Sequence, residues 1–229
     1  MDAQFKAIAD HALLVTFADE ISEAAHAHVL ALDGRLADAA LPGVIETVPA
    51  LVNLLISFDP MATDHTALEA GVRDCLKGLE AQSASGIERK VHVCYEAPFA
   101  PDLGAVAQAT GLTEEAVINA HLTGNFQVLM YGFAPGYAYL SGVPKAIQVP
   151  RKLQPLRDVA AGSVIIAGPQ CLVTTLVMPT GWSIIGRSPT SVLTGDPDRP
   201  FLFDVGDRVV FERIDQARFE ALSKEARDV

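Results

Sequence analysis

From Phe126 onward the chain consists of short apolar segments separated by turns, and most of its prolines lie in this part. Short strands at such close intervals are typical of closed barrels and sandwiches. The sequence therefore predicts a β-rich second half, followed by a helix that begins near Asp215 and carries Phe219. The predicted strands are 126–130, 164–167, 172–177, 183–185 and 208–211.

The first half of the chain alternates strands with amphipathic helices. Apolar residues recur at helical spacing between positions 21 and 36, after Asp19 and Ser22, which can cap a helix. The predicted order is a strand at 12–17, this helix, strands at 44–48 and 54–58, a helix at 68–79 and a strand at 90–95. Such a βαββαβ order is typical of a ferredoxin-like domain. The last strand completes this domain or belongs to the next one.

We accordingly predict an α+β chain of two domains. Residues 1–88 form a ferredoxin-like α/β domain, and residues 89–229 form a β-barrel domain with a terminal helix. Two short helices, at 103–109 and 113–121, precede the strands of the second domain. Hydrophobic residues make up 50% of the 229 residues, so a sizeable core can form.

Charge and composition exclude several classes of partner. The net charge of −11 disfavours nucleic acid, since phosphate binding needs clustered basic residues. No apolar run approaches the roughly 20 residues that span a bilayer, and the first residues lack the pattern of a signal peptide. Cys75, Cys94 and Cys171 are odd in number and share no CxxC spacing. We expect a cytoplasmic protein with free thiols, no membrane contact and no metal site.

The segment at 132–140 follows the predicted strand 126–130. It holds two glycines, a proline and three aromatic residues in nine positions. Glycine permits positive φ or a close backbone approach, and proline fixes φ. Aromatic side chains on such a loop line a pocket or cap the core. A stiff loop at a strand end is thus a candidate binding site, and a loop folded onto its own barrel is the alternative.

Three residues outside this loop carry chemistry that suits a small polar substrate. His121 ends a predicted helix and can act as an acid or a base near pH 7, and the alternative is an imidazole held by the helix C-terminus. The guanidinium of Arg187 can hold a carboxylate or phosphate in two hydrogen bonds, unless it pairs with an acidic neighbour such as Asp207. Arg151 has the same two possibilities.

Several other side chains suit either a site or the core. Gln170 lies where a plain strand would be apolar, which favours a site role. We interpret Trp182, the only tryptophan, as a plug of the barrel, and Cys171 as a small buried hydrophobe rather than a nucleophile. The phenols that suit a pocket as well as a packed interior are Tyr131, Tyr137 and Tyr139.

These residues together resemble a known family. The segment GFAPGYAYLSG at 132–142 is similar to the GFxPGFxYLxG signature of the allophanate hydrolase subunit 1 family, which includes the regulator KipI and the B subunit of bacterial 5-oxoprolinase. Further similar segments are PR at 150–151, AGSVIIAGPQ at 161–170, GWSIIGRSP at 181–189 and GDRV at 206–209. The resemblance extends over residues 8–214, with the segments in the family's order.

The resemblance implies a ferredoxin-like α/β domain followed by a cyclophilin-like β-barrel. It also implies an ATP-dependent opening of the cyclic amide 5-oxoproline to glutamate, by phosphorylation of the lactam carbonyl and attack by water. The implied partners are a C subunit of the allophanate hydrolase subunit 2 family and an A subunit of the LamB/YcsF type. Because the sequence lacks a GxxxxGK(S/T) loop, ATP would be bound through the complex, and the chain alone would be inactive.

On this resemblance, Arg187 would orient an anion, and Gln170 would form a hydrogen bond with the amide. His121 lies where the family usually has a histidine, and it would help to move a proton. The small anionic substrate would contact Tyr131, Phe133, Pro135, Gly136, Tyr139 and Arg151. The sequence departs from the family pattern at 171–175 and 178–180, where glycines and a tyrosine are lost. Two alternatives stay open, a KipI-like regulator that binds a histidine kinase and half of a urea-carboxylase-like carboxyltransferase.

Overall fold

A computed structural model describes residues 3–81 and 86–225 of the chain. The chain divides into two compact units, Met1–Ser85 and Gly86–Val229, and each has a hydrophobic core of its own. Among the described residues, no helix combines the length and the apolar character needed to cross a bilayer.

The first unit combines one sheet with two helices. Its described residues form β1 Gln4–Ile8, β2 Ala12–Thr16, α1 Glu23–Ala39, β3 Val44–Ala50, β4 Asn53–Phe58 and α2 His65–Leu76. The sheet is antiparallel, with the strands in the order β1-β2-β4-β3. Alternate residues of a strand point to the same face, and one face of β2 and β4 is buried together with the apolar stripes of both helices. The buried strand residues on this face are Leu13, Val15, Leu54, Ile56 and Phe58.

Both helices of this unit begin at a side chain that caps the first turn. The Ser22 hydroxyl accepts a hydrogen bond from the Ala25 amide over 3.1 Å, so Ser22 rather than Asp19 caps α1. The Asp64 carboxylate accepts from the Ala67 amide over 2.8 Å at the start of α2. Each cap is worth about 1 kcal/mol and fixes where its helix begins.

The strand predicted at 90–95 does not join this sheet, so the second of the two possibilities for it, that it belongs to the next domain, is the one observed. Its residues belong to the barrel of the second unit, and β1 takes the edge position beside β2. The sequence does not reveal β1, because its five residues, QFKAI, are only partly buried and show weak apolar alternation. The observed order is ββαββα. The ferredoxin-like assignment and the boundary after residue 88 stay predictions.

The second unit contains a closed β-barrel. Its described residues form β5 Glu88–Cys94, α3 Leu103–Thr110, α4 Glu114–Leu122, β6 Phe126–Tyr131, β7 Ala138–Ser141, a 3-10 helix Lys145–Ile147, β8 Leu156–Val159, β9 Ser163–Ala167, β10 Gln170–Val173, β11 Met178–Thr180, β12 Ser183–Arg187, β13 Arg208–Ile214 and α5 Gln216–Glu225. The barrel order is β10-β7-β6-β13-β5-β12-β9, and β8 pairs with β11 as a separate ribbon. The predicted β-barrel is therefore confirmed, while its cyclophilin-like character stays a prediction.

The barrel closes through strands from opposite ends of the unit. β5 and β13 pair in parallel over seven residues, from Glu88 opposite Arg208 to Cys94 opposite Ile214. Because this pairing links segments far apart in sequence, local apolar patterns do not reveal it. This pairing explains why the strand predicted at 90–95 belongs to the second unit rather than the first.

The two faces of the barrel wall bury different residues. Ile166 and Ile185 point into the barrel and are fully buried, together with residues of α3 and α4. Their neighbours Ile165 and Ile184 point outward, since side chains alternate along a strand, and pack in a second cluster. Trp182 lies in this outer cluster, so the interpretation of Trp182 as a plug of the barrel is wrong.

Candidate functional site

The loop at 132–137 joins β6 to β7 and is held at both ends by hydrogen bonds. The Gly132 amide donates to the carbonyl of Tyr137 over 3.2 Å. The hydroxyl of Thr175, just after β10, donates to the carbonyl of Pro135 over 2.7 Å. The loop is thus tied to the neighbouring strand as well as to itself, which makes it a fixed wall.

Two residues of this loop have positive φ, for different reasons. Gly136 has φ +72°, a backbone conformation that favours glycine, and a Cβ at this position would lie 2.8 Å from the Leu193 side chain, which would have to shift. Phe133 has φ +73° although it is not glycine, and its side chain is 75% exposed. A non-glycine residue in this region is strained by about 1 kcal/mol. The loop therefore holds an aromatic ring in solvent in a strained conformation.

A cleft of about 290 Å³, the aromatic cleft, opens beside the loop. Four aromatic residues line it, Phe133 and Tyr137 from the loop, Tyr139 from β7 and Trp182 before β12. The other lining residues are Arg151, Lys152, Pro155, Ile165, Leu172, Pro179, Thr180 and Gly181. An apolar cleft with few polar groups is the usual form of a small-molecule site.

The rings and the cation of the aromatic cleft have a defined geometry. Tyr139 and Trp182 meet edge to face, with ring centroids 6.0 Å apart. The exposed guanidinium of Arg151 lies 5.5 Å from the Trp182 ring, within the range of a cation–π contact. Burial raises the pKa of Tyr137 to about 12, so its phenol stays protonated. The cleft can therefore stack a small planar group and hold an anion at Arg151.

An ion pair anchors the segment that carries Arg151. The Lys152 ammonium donates to Asp102 over 2.6 Å, and the Ile184 amide donates to the same carboxylate oxygen over 2.7 Å. The Lys152 amide also donates to the carbonyl of Gly181 over 2.7 Å. The segment is thus fixed against β12, and the charge of Lys152 is already used by Asp102.

Arg187 lies in a different cleft, of about 360 Å³, next to the end of β12. Its Nε donates to the Ala161 carbonyl over 3.2 Å, and its guanidinium lies about 6 Å from the rings of Phe99 and Phe219. The carboxylate of Asp207, the acidic neighbour considered from the sequence, accepts from Arg89 over 2.9 Å. Arg187 does not line the aromatic cleft.

His121 is fully buried inside the barrel. Its Nδ1 lies 2.8 Å from the Tyr95 hydroxyl, and its Nε2 lies 3.6 Å from the Sγ of Cys171. The rings of Phe126 and Phe211 pack within 5 Å of the imidazole. Burial lowers the pKa of His121 to about 3 and raises the pKa of the Cys171 thiol, so both groups are neutral near pH 7. His121 does not line the aromatic cleft.

Gln170 on β10 and Arg187 on β12 are paired with opposite ends of β9, the strand between them. Gln170 pairs with Ala167, and Arg187 pairs with Ser163, four residues earlier in the strand. At about 3.3 Å for each residue, the two positions are separated by about 13 Å. The structure therefore does not bring His121, Gln170 and Arg187 into one site, and their catalytic roles stay predictions.

The substrate-binding residues chosen from the sequence divide into two groups. Phe133, Tyr139 and Arg151 line the aromatic cleft. Tyr131 uses its hydroxyl to donate to the Phe203 carbonyl over 2.6 Å. Pro135 and Gly136 do not line the cleft either, and lie next to Thr175 and Leu193.

Trp182 is the cleft residue that sequence reasoning assigned to the wrong place. The signal that could have found it is the alternation along 182–185, in which Ile185 faces the barrel interior and Ile184 faces outward. Extending that alternation places Trp182 with Ile184. The outward face then brings the tryptophan to the same cleft as the loop.

Comparison with known proteins identifies relatives of nearly full length. Residues 3–203 match the family described as carboxyltransferase domain, subdomain C and D. The 5-oxoprolinase B subunit of Bacillus subtilis (strain 168) is 33% identical over 235 residues, which cover 97% of this chain and 98% of that protein. The 5-oxoprolinase B subunit of Escherichia coli O157:H7 is 31% identical over 205 residues, which cover 89% of this chain and 93% of that protein.

Solved structures share the fold. The protein PH0987 of Pyrococcus horikoshii has a TM-score of 0.57 at 34% identity, covering 94% of this chain and all of that one. TTHA0988 has a TM-score of 0.78 at 32% identity, and the match covers 90% of this chain. This chain spans about two fifths of the length of TTHA0988, since the match covers 40% of it. The urea amidolyase of K. lactis has a TM-score of 0.80 at 16% identity and shares the fold alone.

The family resemblance that the sequence motifs indicated is confirmed by these matches. The family match and the two relatives each cover far more than half of the chain. The chain belongs to the family of the carboxyltransferase domain, subdomains C and D.

Proposed function

We propose that the chain is the B-type subunit of a 5-oxoprolinase complex, and that its aromatic cleft receives the small anionic cyclic amide. Two relatives that carry this subunit name match it over most of their length, which supports the assignment. The observation that carries the proposal is the position of Arg151 beside Trp182, in a cleft walled by the signature loop.

The chemistry of 5-oxoproline suits this cleft. The lactam is a small, nearly planar ring, which stacks on aromatic walls such as Trp182 and Tyr139. Its carboxylate can accept two parallel hydrogen bonds from a guanidinium such as Arg151. The amide then lies deeper, where the buried walls exclude water. Binding and orientation are thus the tasks that we assign to this chain.

ATP does not fit the aromatic cleft. Among the described residues that line it, the cations are Arg151 and Lys152, and the ammonium of Lys152 is bonded to Asp102. A triphosphate needs several free donors, and the sequence has no GxxxxGK(S/T) loop. We therefore propose that ATP is bound by partner subunits, a C subunit of the allophanate hydrolase subunit 2 type and an A subunit of the LamB/YcsF type.

In this proposal the complex opens the lactam to glutamate, with ATP supplying the activation of the carbonyl. This chain holds the carboxylate at Arg151 and stacks the ring, so that the amide carbonyl is presented to the partner subunits. The chain alone would bind substrate but turn over none. The proposed action is that of a hydrolase subunit that depends on its partners.

The test is 5-oxoproline-dependent ATP hydrolysis by the complex, purified with its C-type and A-type subunits. Arg151→Ala should lower kcat/KM by about 10- to 100-fold, since a charge-assisted hydrogen bond is worth about 1.5–3 kcal/mol. Lys145→Ala is the matched control, because Lys145 is an exposed cation outside the cleft. Equal activity of the two variants would remove the proposed role of the cleft.

The family description favours a second candidate function, half of a carboxyltransferase. The urea carboxylase of Kluyveromyces lactis shares the fold, with a TM-score of 0.79 at 16% identity. This candidate predicts binding of a biotinylated carrier protein. No such binding, together with 5-oxoproline-dependent ATP hydrolysis, would exclude it. Recovery of a histidine kinase without the C-type subunit in a pull-down would instead favour a KipI-like regulator.

A further inference from the structure

Large apolar side chains lie exposed around the mouth of the aromatic cleft. We call five of them the apolar rim, Phe133, Leu153, Leu156, Leu176 and Val177, of which Leu153 is fully exposed and Val177 is 66% exposed. Leu153 and Leu156 flank Pro155, a cleft residue, and Leu176 follows Thr175, which holds the loop. Exposed apolar side chains beside a cleft indicate an interaction surface.

Phe133 indicates that the apolar rim is built for a partner. Its backbone has φ +73°, and its ring is 75% exposed, so both the backbone and the side chain are unfavourable in the free chain. Its ring contact is with Tyr137, at a centroid distance of 5.6 Å. A partner that covered this ring would gain free energy that offsets the backbone strain and the exposure of the ring. An aromatic anchor acts in this way at the centre of an interface.

The charge beside the apolar rim defines the chemistry of the partner. Residues 150–158 contain three basic side chains, Arg151, Lys152 and Arg157, and one acidic side chain, Asp158, in a chain with a net charge of −11. Lys152 is paired with Asp102, whereas Arg151 and Arg157 are exposed. An exposed basic segment on an acidic protein attracts a partner whose surface carries carboxylates, and it orients that partner during association.

The lengths of the relatives indicate that the partner is a second polypeptide. PH0987 is matched over its whole length, whereas more than half of the TTHA0988 chain lies outside the match. The same fold thus occurs as a chain of this size and as part of a longer chain. In TTHA0988 the part outside the match is polypeptide joined to this fold, so we take the partner of this fold to be a polypeptide of that kind.

We propose that the apolar rim docks this second polypeptide, which presents apolar side chains framed by carboxylates. Docking covers Phe133 and Leu153 and closes the mouth of the aromatic cleft over its substrate. The inference rests on the proposed function, because it takes the second polypeptide to be the C-type subunit of the complex. It adds the surface on which the two chains meet.

The test compares two double variants in complexes with the C-type subunit. Phe133→Ser with Leu153→Ser changes the apolar rim, and Ile45→Ser with Met61→Ser changes exposed apolar residues of the first unit. The rim variant should raise the Kd for the C-type subunit by about tenfold or more, as loss of an aromatic anchor does, and the control should leave it unchanged. Thermal unfolding should stay near wild type in both, because all four side chains are exposed.

The outcomes separate this proposal from the proposed function. If the rim variant binds the C-type subunit as wild type does and the complex turns over 5-oxoproline, the docking surface is wrong and the proposed function stands. If the wild-type chain forms no complex, both are wrong. If the rim variant abolishes self-association of this chain but leaves binding of the C-type subunit unchanged, the apolar rim joins copies of the chain and the proposal is overturned.

Discussion

The hydroxyl of Tyr95 and the Nδ1 of His121 form a hydrogen bond of 2.8 Å in the interior of the barrel. Both side chains are buried, with exposed fractions of 3% and 0%. A buried polar pair of this kind is stable only when each group satisfies the other. The imidazole is therefore part of the core and, with its pKa lowered by burial, is neutral in the folded chain.

This neutrality predicts how stability depends on pH. The pKa of His121 is about 3 in the folded chain and has its ordinary value of 6.5 after unfolding. Between these values the unfolded chain binds a proton that the folded chain does not, so stability is full above pH 6.5 and falls as the pH decreases. The expected loss from His121 approaches about 1.4 kcal/mol for each pH unit between the two pKa values, measured by urea unfolding at several pH values.

Two variants separate the titration from the hydrogen bond. His121→Leu should show a smaller loss of stability than wild type as the pH is lowered through this window. Tyr95→Phe should lose about 1–3 kcal/mol at every pH and keep the wild-type slope, because the imidazole remains buried. Equal slopes for wild type and His121→Leu would mean that His121 does not titrate on unfolding.

The bond between Lys152 and Asp102 predicts a local effect of substitution. Asp102→Ala removes the acceptor of both the Lys152 ammonium and the Ile184 amide, and should destabilise the chain by about 2 kcal/mol. Hydrogen exchange should rise mainly in residues 150–155 and at the start of β12. Asp74→Ala is the matched control, since its pair with Lys77 is exposed on both sides and should change stability by less than about 0.5 kcal/mol. Equal effects would contradict the anchoring role.

Gly136 predicts a steric effect that can be separated from backbone strain. Gly136→Ala places a Cβ 2.8 Å from Leu193 and 3.0 Å from Thr175, in addition to the strain of φ +72°. Gly168→Ala is the control, because Gly168 has φ +52° and nothing within 4 Å of the added atom. We expect a loss of about 1 kcal/mol for the control and at least about 2 kcal/mol for Gly136→Ala, measured by chemical unfolding. Similar losses of stability in the two variants would show that the side chains around Gly136 move aside at little cost.

Local patterns were sufficient for the elements that depend on local forces. Apolar alternation and turn residues placed the strands that begin at Phe126 and Ser183. Capping chemistry offered Asp19 and Ser22 for the start of α1, and the structure uses Ser22. The pairing of β5 with β13 could not be predicted in this way, because it depends on contacts about 120 residues apart, such as Glu88 with Arg208. Local patterns therefore left open which of the two domains contains the strand at 90–95, and the pairing with β13 decides it.

The candidate site shows the same division. Phe133, Tyr139 and Arg151 belong to recognisable segments, and the structure brings them to one cleft. His121 is close to the loop in sequence, but α4 places it inside the barrel. Burial there lowers the pKa of the imidazole, so it is neutral rather than a base near pH 7 that could act in the cleft. Arg187 lies on β12 and Gln170 on β10, and both strands pair with β9. Only the register of these pairings shows that the two residues are far apart.

The most direct test of the aromatic cleft uses Trp182, the only tryptophan of the chain, as a reporter. In the assembled complex, 5-oxoproline should cause a saturable change in tryptophan fluorescence that disappears in Trp182→Phe and requires higher concentrations in Arg151→Ala. A complex that turns over 5-oxoproline while wild type and Trp182→Phe give the same fluorescence titration would contradict binding in this cleft.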